Sequence, residues 1–498
     1  MNLIPNRQIY DTGNYFCTWG TQGEWYQPDP SLPTDGCVRQ RNGIDQRYLF
    51  AEDGVLKTFP EEIRQDLLVL LDDGWDVPYG THNPRQMHLF GSICPDPQRF
   101  SNFGDTPQQR LFGLSRSVRE SGFAGLGLWI ATQYPRSSNT FMPVEVFRRH
   151  FEQAAQRCAE ADVRYWKVDW GWDSHEYMYR QIISQAARQY APRVLVEQTS
   201  VIDPLAVQPQ DKQTPQYQKR LNTIYDLLPI SDYFRTYDVM EPFDYVSTLM
   251  RLAVLFAKPS PYETSGYRCI PNVEHVAPIG AVLGCSYGLM HHPMKTSQRL
   301  CEMIRALHWQ RFAPPFGLHR CINICSAETL TDTWLFREDP HIWPYYGGSI
   351  KEQTAPARFS RGAPLPQVHT ENTGIAPFVA VSKHPDTGAY AVGTFPRTLQ
   401  DKHQVFLPAQ VQVFAVDAYA PVGIFGIFDK LTLVFDREVA EKRILVQDLA
   451  DWQAHDVTEQ VSIQGNKLSL PGTLLTTLGS TANGPQDLSA PGMVLRLV

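Results

Sequence analysis

The sequence lacks a basic surplus, long apolar runs and a regular cysteine pattern. Lys and Arg number 45 against 52 Asp and Glu, and the net charge of -7 argues against a nucleic-acid-binding protein. No uninterrupted apolar run approaches the ~18 residues of a membrane span, so we expect no membrane partner. The nine Cys residues have no repeating spacing and do not indicate a disulfide framework.

The first six residues, Met1 to Asn6, lack the basic and apolar regions of a signal peptide. A mature secreted or periplasmic form would also lack them, so the compartment stays open, as does the oligomeric state. With 498 residues, 43% of them hydrophobic, the chain can bury a full core. The aromatic content of 12% suits a protein that stacks flat rings, sugars among them.

Strands and helices alternate through the first 340 residues. The clearest apolar runs of strand length are 125–131, 163–169 and 194–197, and the amphipathic stretches between them are 146–161 and 176–191. This alternation indicates parallel strands joined by right-handed crossovers. More than five such units favour a (β/α)8 TIM barrel over an open sheet.

The pattern changes after residue 340. Residues 341–374 are rich in Pro, Gly and polar residues, which predicts a linker or an active-site loop. Residues 375–498 hold short alternating runs separated by turns, which predicts an antiparallel β-sandwich. The predicted division is therefore a barrel over 1–340, a linker over 341–374 and a β-sandwich over 375–498.

Acidic residues stand at the predicted carboxyl ends of strands 4 and 6. Asp169 ends strand 4, and Asp238 follows Arg235 on strand 6. Catalytic residues of such barrels lie at these strand ends, so the two carboxylates should face one mouth. One can attack an anomeric carbon while the other protonates the leaving oxygen, as a retaining glycosidase requires. Lys167 shares the strand face of Asp169 and would hold it ionised.

The segment YWKVDWG (165–171) resembles the nucleophile motif of the α-galactosidase-like glycoside hydrolases, families 27 and 36 of one clan. FRTYD (234–238) resembles the acid/base segment of the clan, and residues 95–130 resemble its connection between strands 2 and 3. The resemblance covers about residues 10–310. The architecture is closer to family 27, because the large N-terminal β-domain of family 36 has no room before strand 1.

The resemblance implies a retaining α-glycoside hydrolase that cleaves an oligosaccharide or glycoside, with Asp169 as nucleophile and Asp238 as acid/base. It implies neither a metal nor an organic cofactor. The predicted sugar-binding residues at strands 1, 3, 4, 5 and 6 are Trp19, Trp129, Lys167, Trp170, Glu197 and Arg235. Two alternatives stay open: a clan member that acts on a different α- or β-L-sugar, and a carbohydrate-binding barrel without catalysis.

Strand 2 departs from the clan pattern in this interpretation. Asp72-Asp73-Gly74-Trp75 resembles the motif with which the clan binds galactose at strand 2. The residues before it favour a helix, with Pro60 at its first position, acidic residues in its first turn and Gly74 as its C-cap. Strand 2 would then run over 75–81, and Thr81 and His82 would bind the sugar. Whether Asp72 and Asp73 bind sugar or end a helix stays open.

The acid/base segment also departs from the clan. The clan places its acid/base Asp four residues after the Arg, a position that Val239 occupies here. Asp238 lies one residue earlier, and Glu241 is the alternative acid/base.

Overall fold

The computed structural model describes most of the chain, with several internal gaps. The described residues are 1–6, 13–25, 36–82, 86–137, 143–199, 224–235, 244–257, 266–274, 276–293, 299–320, 323–336, 349–371, 375–400 and 402–498.

Eight parallel strands form the predicted TIM barrel. They are β1 (Tyr15–Cys17), β2 (Leu68–Leu71), β3 (Gly125–Ile130), β4 (Val163–Val168), β5 (Leu195–Thr199), β6 (Tyr233–Arg235), β7 (Ile270–Asn272) and β8 (Gly288–Leu289). The strands are paired in chain order from β1 to β7, and β8 pairs with β1. A parallel bridge between Asn272 and Ser286 closes the remaining gap. The barrel prediction is confirmed.

Helices accompany these strands along the chain. They are α1 (Trp19–Trp25), α2 (Gly36–Asn42), α3 (Gln46–Phe50), α4 (Glu61–Arg64), α5 (Pro107–Glu120), α6 (Val144–Glu160), α7 (Tyr177–Tyr190), α8 (Asp244–Phe256), α9 (Ala277–Leu283) and α10 (Leu300–Gln310). None of these described helices is long and apolar enough to cross a membrane.

The predicted helix end at Asp72 and Asp73 is wrong. Helix α4 ends at Arg64, and strand β2 then occupies the buried run Leu68–Leu71. A short apolar run fits a buried strand as well as a helix, because its periodicity alone does not separate them. Pairing of β2 with both β1 and β3 decides for the strand. Asp72 and Asp73 therefore stand at the carboxyl end of β2, and no strand occupies 75–81.

The C-terminal region consists of two packed sheets, as predicted. Its strands are β9 (Ile324–Phe336), β10 (Ser349–Arg361), β11 (Gln367–His369), β12 (Phe378–Lys383), β13 (Tyr390–Phe395), β14 (Arg397–Gln400), β15 (Lys402–Val405), β16 (Gln410–Val416), β17 (Val422–Phe425), β18 (Lys430–Phe435), β19 (Ile444–Asp448), β20 (His455–Asp456), β21 (Ser462–Gln464), β22 (Lys467–Pro471) and β23 (Gly492–Leu497), with helix α11 at Gly472–Leu478. Ten strands form one sheet, in the order β15-β14-β9-β10-β12-β13-β17-β23-β19-β20, and β11-β16-β18-β22-β21 form the other.

Two details of this region differ from the prediction. The pairings β9–β14, β10–β12, β13–β17 and β16–β18 are parallel, so the sheets are mixed rather than purely antiparallel. The predicted linker over 341–374 contains β10 and β11. Strand β10 pairs along its length with β9, and this long-range pairing outweighs the turn-like composition of the segment.

Candidate active site

Neighbouring strands align three side chains at the carboxyl ends of the barrel. Trp129 of β3 is in register with Lys167 of β4, and Lys167 is in register with Glu197 of β5. In-register residues on neighbouring strands project from the same side of a sheet, so their side chains become neighbours. Lys167 is 2% exposed and Glu197 0%. The strand pairing thus places a cation and a carboxylate side by side in the barrel interior.

Asp169 follows the last residue of β4, and both of its carboxylate oxygens are held. Trp129 Nε1 donates to Oδ2 at 3.0 Å, and Arg235 Nη2 lies 3.3 Å from Oδ1. The backbone is fixed as well, because the Asp169 amide donates to Ile130 O and Arg180 Nη2 donates to the Asp169 carbonyl. A positive charge and an N–H donor stabilise a carboxylate. The side chain is 16% exposed, so it remains reachable from the mouth.

Lys167 lies between two carboxylates that follow different strands, Asp72 after β2 and Glu274 after β7. Its Nζ is 3.0 Å from Asp72 Oδ2 and 2.9 Å from Glu274 Oε1, and Cys17 Sγ donates to the same Asp72 oxygen at 3.0 Å. Burial lowers the pKa of Lys167, but Asp72, then Cys17 and Glu274, raise that pKa well above its ordinary value. Lys167 is therefore a buried ammonium ion, and its third partner is Cys17 Sγ at 3.7 Å.

Arg235, the last residue of β6, brings three carboxylates together. Its guanidinium nitrogens lie 3.3 Å from Asp169, 3.4 Å from Glu197 and 3.5 Å from Glu274. The planar guanidinium suits such multiple contacts because its donors point in fixed, divergent directions. Arg235 thereby links the ends of strands 4, 5 and 7.

Glu197 lies at the centre of a hydrogen-bond network inside the barrel. Its Oε2 accepts from Tyr165 OH at 2.7 Å and from Asn272 Nδ2 at 2.6 Å. Burial raises the pKa of Glu197, and Arg235, followed by Lys167, opposes that rise. With Tyr15, whose OH donates to Oε1 at 3.3 Å, five neighbouring groups determine the orientation and the charge of this carboxyl group.

Asp73 is held by Arg41 of α2 rather than by Lys167. Arg41 Nε donates to Oδ1 at 2.9 Å and Nη2 to Oδ2 at 2.8 Å. Burial raises the pKa of Asp73, and Arg41 opposes that rise. The Arg41 guanidinium lies 5.0 Å from the Phe90 ring and 5.9 Å from the Trp170 ring. Trp170 in turn lies 5.2 Å from Trp129, so this ion pair supports the aromatic side of the mouth.

The remaining predicted residues have mixed outcomes. Trp19 begins α1 instead of ending β1, and it packs against the apolar cluster inside the barrel. The predicted strand over 75–81, which would end at Thr81 and His82, is absent, because β2 runs over Leu68–Leu71. Thr81 donates to Pro78 O at 2.8 Å, and the His82 amide donates to Gln86 Oε1 at 2.7 Å, both in the loop after β2. Asp238 and Glu241 lie outside the described residues.

Sequence reasoning missed Glu274 and Arg41, and it favoured a helix end at Asp72 while leaving its role open. Glu274 follows the three-residue strand β7, which contains Pro271 and is too short to show a period of two. Arg41 belongs to a short helix without a motif. Asp72 did carry a signal, because the four-residue segment 72–75 resembles the strand 2 motif of the clan. Among the residues that the structure describes, no group of His, Cys, Asp or Glu is arranged to hold a metal ion.

Comparisons with known proteins give structural alignments of low TM-score and no sequence match. No protein-family model matches the chain, and no curated protein sequence matches it. A GH27 β-L-arabinopyranosidase from Geobacillus stearothermophilus aligns at 9% identity and a TM-score of 0.41, over 98% of this chain and 96% of its own. A presumed α-galactosidase from Bacteroides fragilis NCTC 9343 aligns at 11% identity and 0.38, over 99% and 81%.

A third similar structure is the homocysteine methyltransferase MmuM from Escherichia coli. It aligns at 10% identity and a TM-score of 0.33, over 61% of this chain and 96% of its own. Because all three TM-scores are below 0.5, nothing about activity follows from them.

Proposed function

We propose that this protein is a retaining glycoside hydrolase in which Asp169 attacks the anomeric carbon and forms a covalent glycosyl-enzyme. The geometry of Asp169 carries the proposal. Its carboxylate is 16% exposed, whereas the side chain of Asp72 is 6% exposed and those of Glu197 and Glu274 are 0% exposed. Asp169 is thus the acidic group of this cluster that is best placed to reach a substrate, and Trp129 and Arg235 hold both of its oxygens.

The buried charges beside Asp169 suit the recognition of sugar hydroxyl groups. Lys167 supplies a buried positive charge, and Asp72 supplies a carboxylate acceptor 3.0 Å from its Nζ. A hydroxyl group can both donate and accept, so a cation and an anion held together bind it in one orientation. The Asp pair at the end of strand 2 belongs to the motif that the resemblance associates with galactose recognition. We therefore take α-galactosides as the first substrate class to test, with other α- and β-L-sugars as the alternative.

The acid/base is proposed to be Asp238, with Glu241 as the alternative. A general acid protonates a poor leaving group but is hardly needed for a good one. Asp238→Ala should therefore lower hydrolysis of a natural glycoside by roughly 10²–10⁴-fold and spare the glycosylation step with a dinitrophenyl leaving group. If Glu241→Gln shows this leaving-group dependence and Asp238→Ala does not, the assignment moves to Glu241.

The nucleophile is tested with a panel of p-nitrophenyl α-glycosides and with azide. Asp169→Gly should abolish turnover, and azide should restore it and yield a glycosyl azide of inverted configuration. The matched control is Asp173→Asn, on the same loop as Asp169, which breaks a buried ion pair between Asp173 and Arg136 at 3.1 Å. This control should lose stability but keep its turnover without azide.

Three results would count against the proposal. A glycosyl azide of retained configuration would assign Asp169 as the acid/base instead. Azide-independent turnover by Asp169→Gly would exclude a nucleophilic role. Sugar binding without turnover by the wild-type protein on every glycoside would favour the non-catalytic carbohydrate-binding barrel.

A further inference from the structure

Glu274 lies where the barrel closes, and the proposed reaction has so far no role for it. It stands two residues beyond the end of β7, and its side chain is 0% exposed. The backbone beside it is fixed, because the Val273 amide donates to Ser286 O at 2.9 Å across the closure. Burying a carboxylate costs desolvation free energy unless cations or hydrogen-bond donors surround it. The buried position of Glu274 therefore requires an explanation.

The two oxygens of Glu274 contact different cations. Oε1 accepts from Tyr15 OH at 2.8 Å and lies 2.9 Å from Lys167 Nζ. Oε2 lies 3.5 Å from Arg235 Nη1. One carboxylate therefore joins the cation that faces Asp72 to the cation that holds Asp169.

The other carboxylates at the mouth each reach only one of these two cations in the described ion pairs. Asp72 pairs with Lys167. Asp169 and Glu197 pair with Arg235. Within this set, Glu274 is the carboxylate whose contacts span both cations.

We propose that Glu274 is a positioning residue that fixes Lys167 and Arg235 relative to each other and balances their charges. This inference rests on the proposed function, in which Lys167 binds a sugar hydroxyl and Arg235 holds the nucleophile. Two cations at one site repel each other, and a carboxylate between them removes that repulsion. Without Glu274, Asp72 would draw Lys167 toward strand 2, and Arg235 would face Asp169 and Glu197 alone.

The loss of this negative charge has a predictable sign. An anion close to a second carboxylate disfavours its ionisation, so removing the anion favours ionisation at lower pH. The acid limb of kcat/KM reports the ionisation of a group that must be charged in the free enzyme. The charged or titratable groups that face Glu274 or Asp169 from the surrounding described elements are Tyr15, Cys17, Asp72, Asp73, Lys167, Arg180, Glu197 and Arg235.

The test compares Glu274→Gln and Glu274→Asp with the wild-type enzyme, on an aryl glycoside that the wild type hydrolyses. For Glu274→Gln we expect kcat/KM to fall about tenfold or more, with KM raised by the displacement of Lys167. Its acid limb should move to lower pH by about one unit. Glu274→Asp keeps the charge, so its acid limb should stay near that of the wild type although kcat/KM falls.

The matched control is Asp448→Asn. Asp448, the last residue of β19, is another fully buried carboxylate, and it pairs with Arg305 of α10 at 2.7 Å. Breaking this pair should lower the melting temperature but leave kcat/KM and the acid limb unchanged. A purely structural role of Glu274 would give the same result as Asp448→Asn.

The outcomes separate this inference from the proposed function. A folded Glu274→Gln variant with the wild-type kcat/KM and acid limb overturns the inference, whereas the proposed function stands. If Glu274→Gln does not fold, Glu274→Asp provides the test. A shift of its acid limb by about one pH unit from that of the wild type would overturn the charge-balancing role. If the wild type hydrolyses no glycoside, the proposed function fails. In that case, calorimetry measures the affinity of the wild-type and Glu274→Gln proteins for free galactose. Equal affinities would overturn the inference about Glu274.

Discussion

Replacing Asp72 with Asn perturbs the contact between Asp72 and Lys167, at a position where the sequence favours a helix end. Asp72 Oδ2 lies 3.0 Å from Lys167 Nζ, and the two side chains are 6% and 2% exposed. Asn keeps the size of the side chain and its acceptor oxygen but removes the charge. The substitution therefore weakens the hold on Lys167 and removes an anionic acceptor for a sugar hydroxyl.

The expected magnitude follows from these contacts. A hydrogen bond to a charged group contributes about 1.5–3 kcal/mol, and about 1.4 kcal/mol corresponds to a tenfold change in rate. We therefore expect kcat/KM to fall about 10- to 150-fold. Breaking an isolated buried ion pair destabilises a protein by about 3–5 kcal/mol. The loss of stability should be smaller here, because Glu274 remains 2.9 Å from Lys167.

The assay measures kcat and KM on an aryl glycoside, together with urea unfolding, for the wild type, Asp72→Asn and Asp66→Asn. Asp66 is a matched control at the opposite end of β2, where it pairs with Arg311 at 2.7 Å. Asp66→Asn should lose stability and keep its kcat/KM. Asp72→Asn should lose kcat/KM beyond what its stability explains.

Two results would refute this reasoning. If Asp72→Asn stays within about twofold of the wild-type kcat/KM, Asp72 is not part of the sugar site. If Asp66→Asn loses as much kcat/KM as Asp72→Asn, the effect reflects general destabilisation of β2 rather than the contact with Lys167.

Two further predictions concern the surroundings of the nucleophile. Trp129→Phe removes the Nε1 donor 3.0 Å from Asp169 Oδ2 but keeps an aromatic ring, so kcat should fall about tenfold with a smaller change in KM; a change confined to KM would contradict a role in holding the nucleophile. Burial raises the pKa of Asp76 from 3.8 to about 7, so the folded state keeps a proton that the unfolded chain releases. The free energy of unfolding should therefore fall by up to about 4 kcal/mol as pH rises from about 4 to 7. In urea unfolding, Asp76→Asn should lack this pH-dependent part of the free energy of unfolding. If the free energies of unfolding of the variant and the wild type differ by the same amount at every pH, the raised pKa of Asp76 is contradicted.

Much of the barrel was predictable because its central units carry local signals. The runs that became β3, β4 and β5, and the amphipathic stretches that became α6 and α7, have the periods of strand and helix. The carboxyl ends of parallel strands meet at one mouth. Lys167, Asp169, Glu197 and Arg235 could therefore be placed together from strand ends alone, and the structure brings them within contact of one another or of shared partners.

Strand 2 and the long hairpin of β9 and β10 were not predictable in this way. The apolar run before Asp72 fits both a helix and a strand, and only its pairing with β1 and β3 selects the strand. The segment that became β10 has the composition of a linker, and pairing with β9 makes it a strand. In both cases the deciding hydrogen bonds connect residues far apart in the chain.

The sequence by itself determined the barrel class, the strand that carries Asp169, and the presence of a cation two residues before it. Those features depend on local periodicity and on the alternation of side chains along one strand. Only the tertiary structure decided that Asp72 and Glu274 both pair with Lys167, and that Glu274 also reaches Arg235. Closure of the barrel brings the residues that follow β2 and β7 close to Lys167 of β4 and Arg235 of β6. No pattern within a single strand predicts which strands become neighbours in this way.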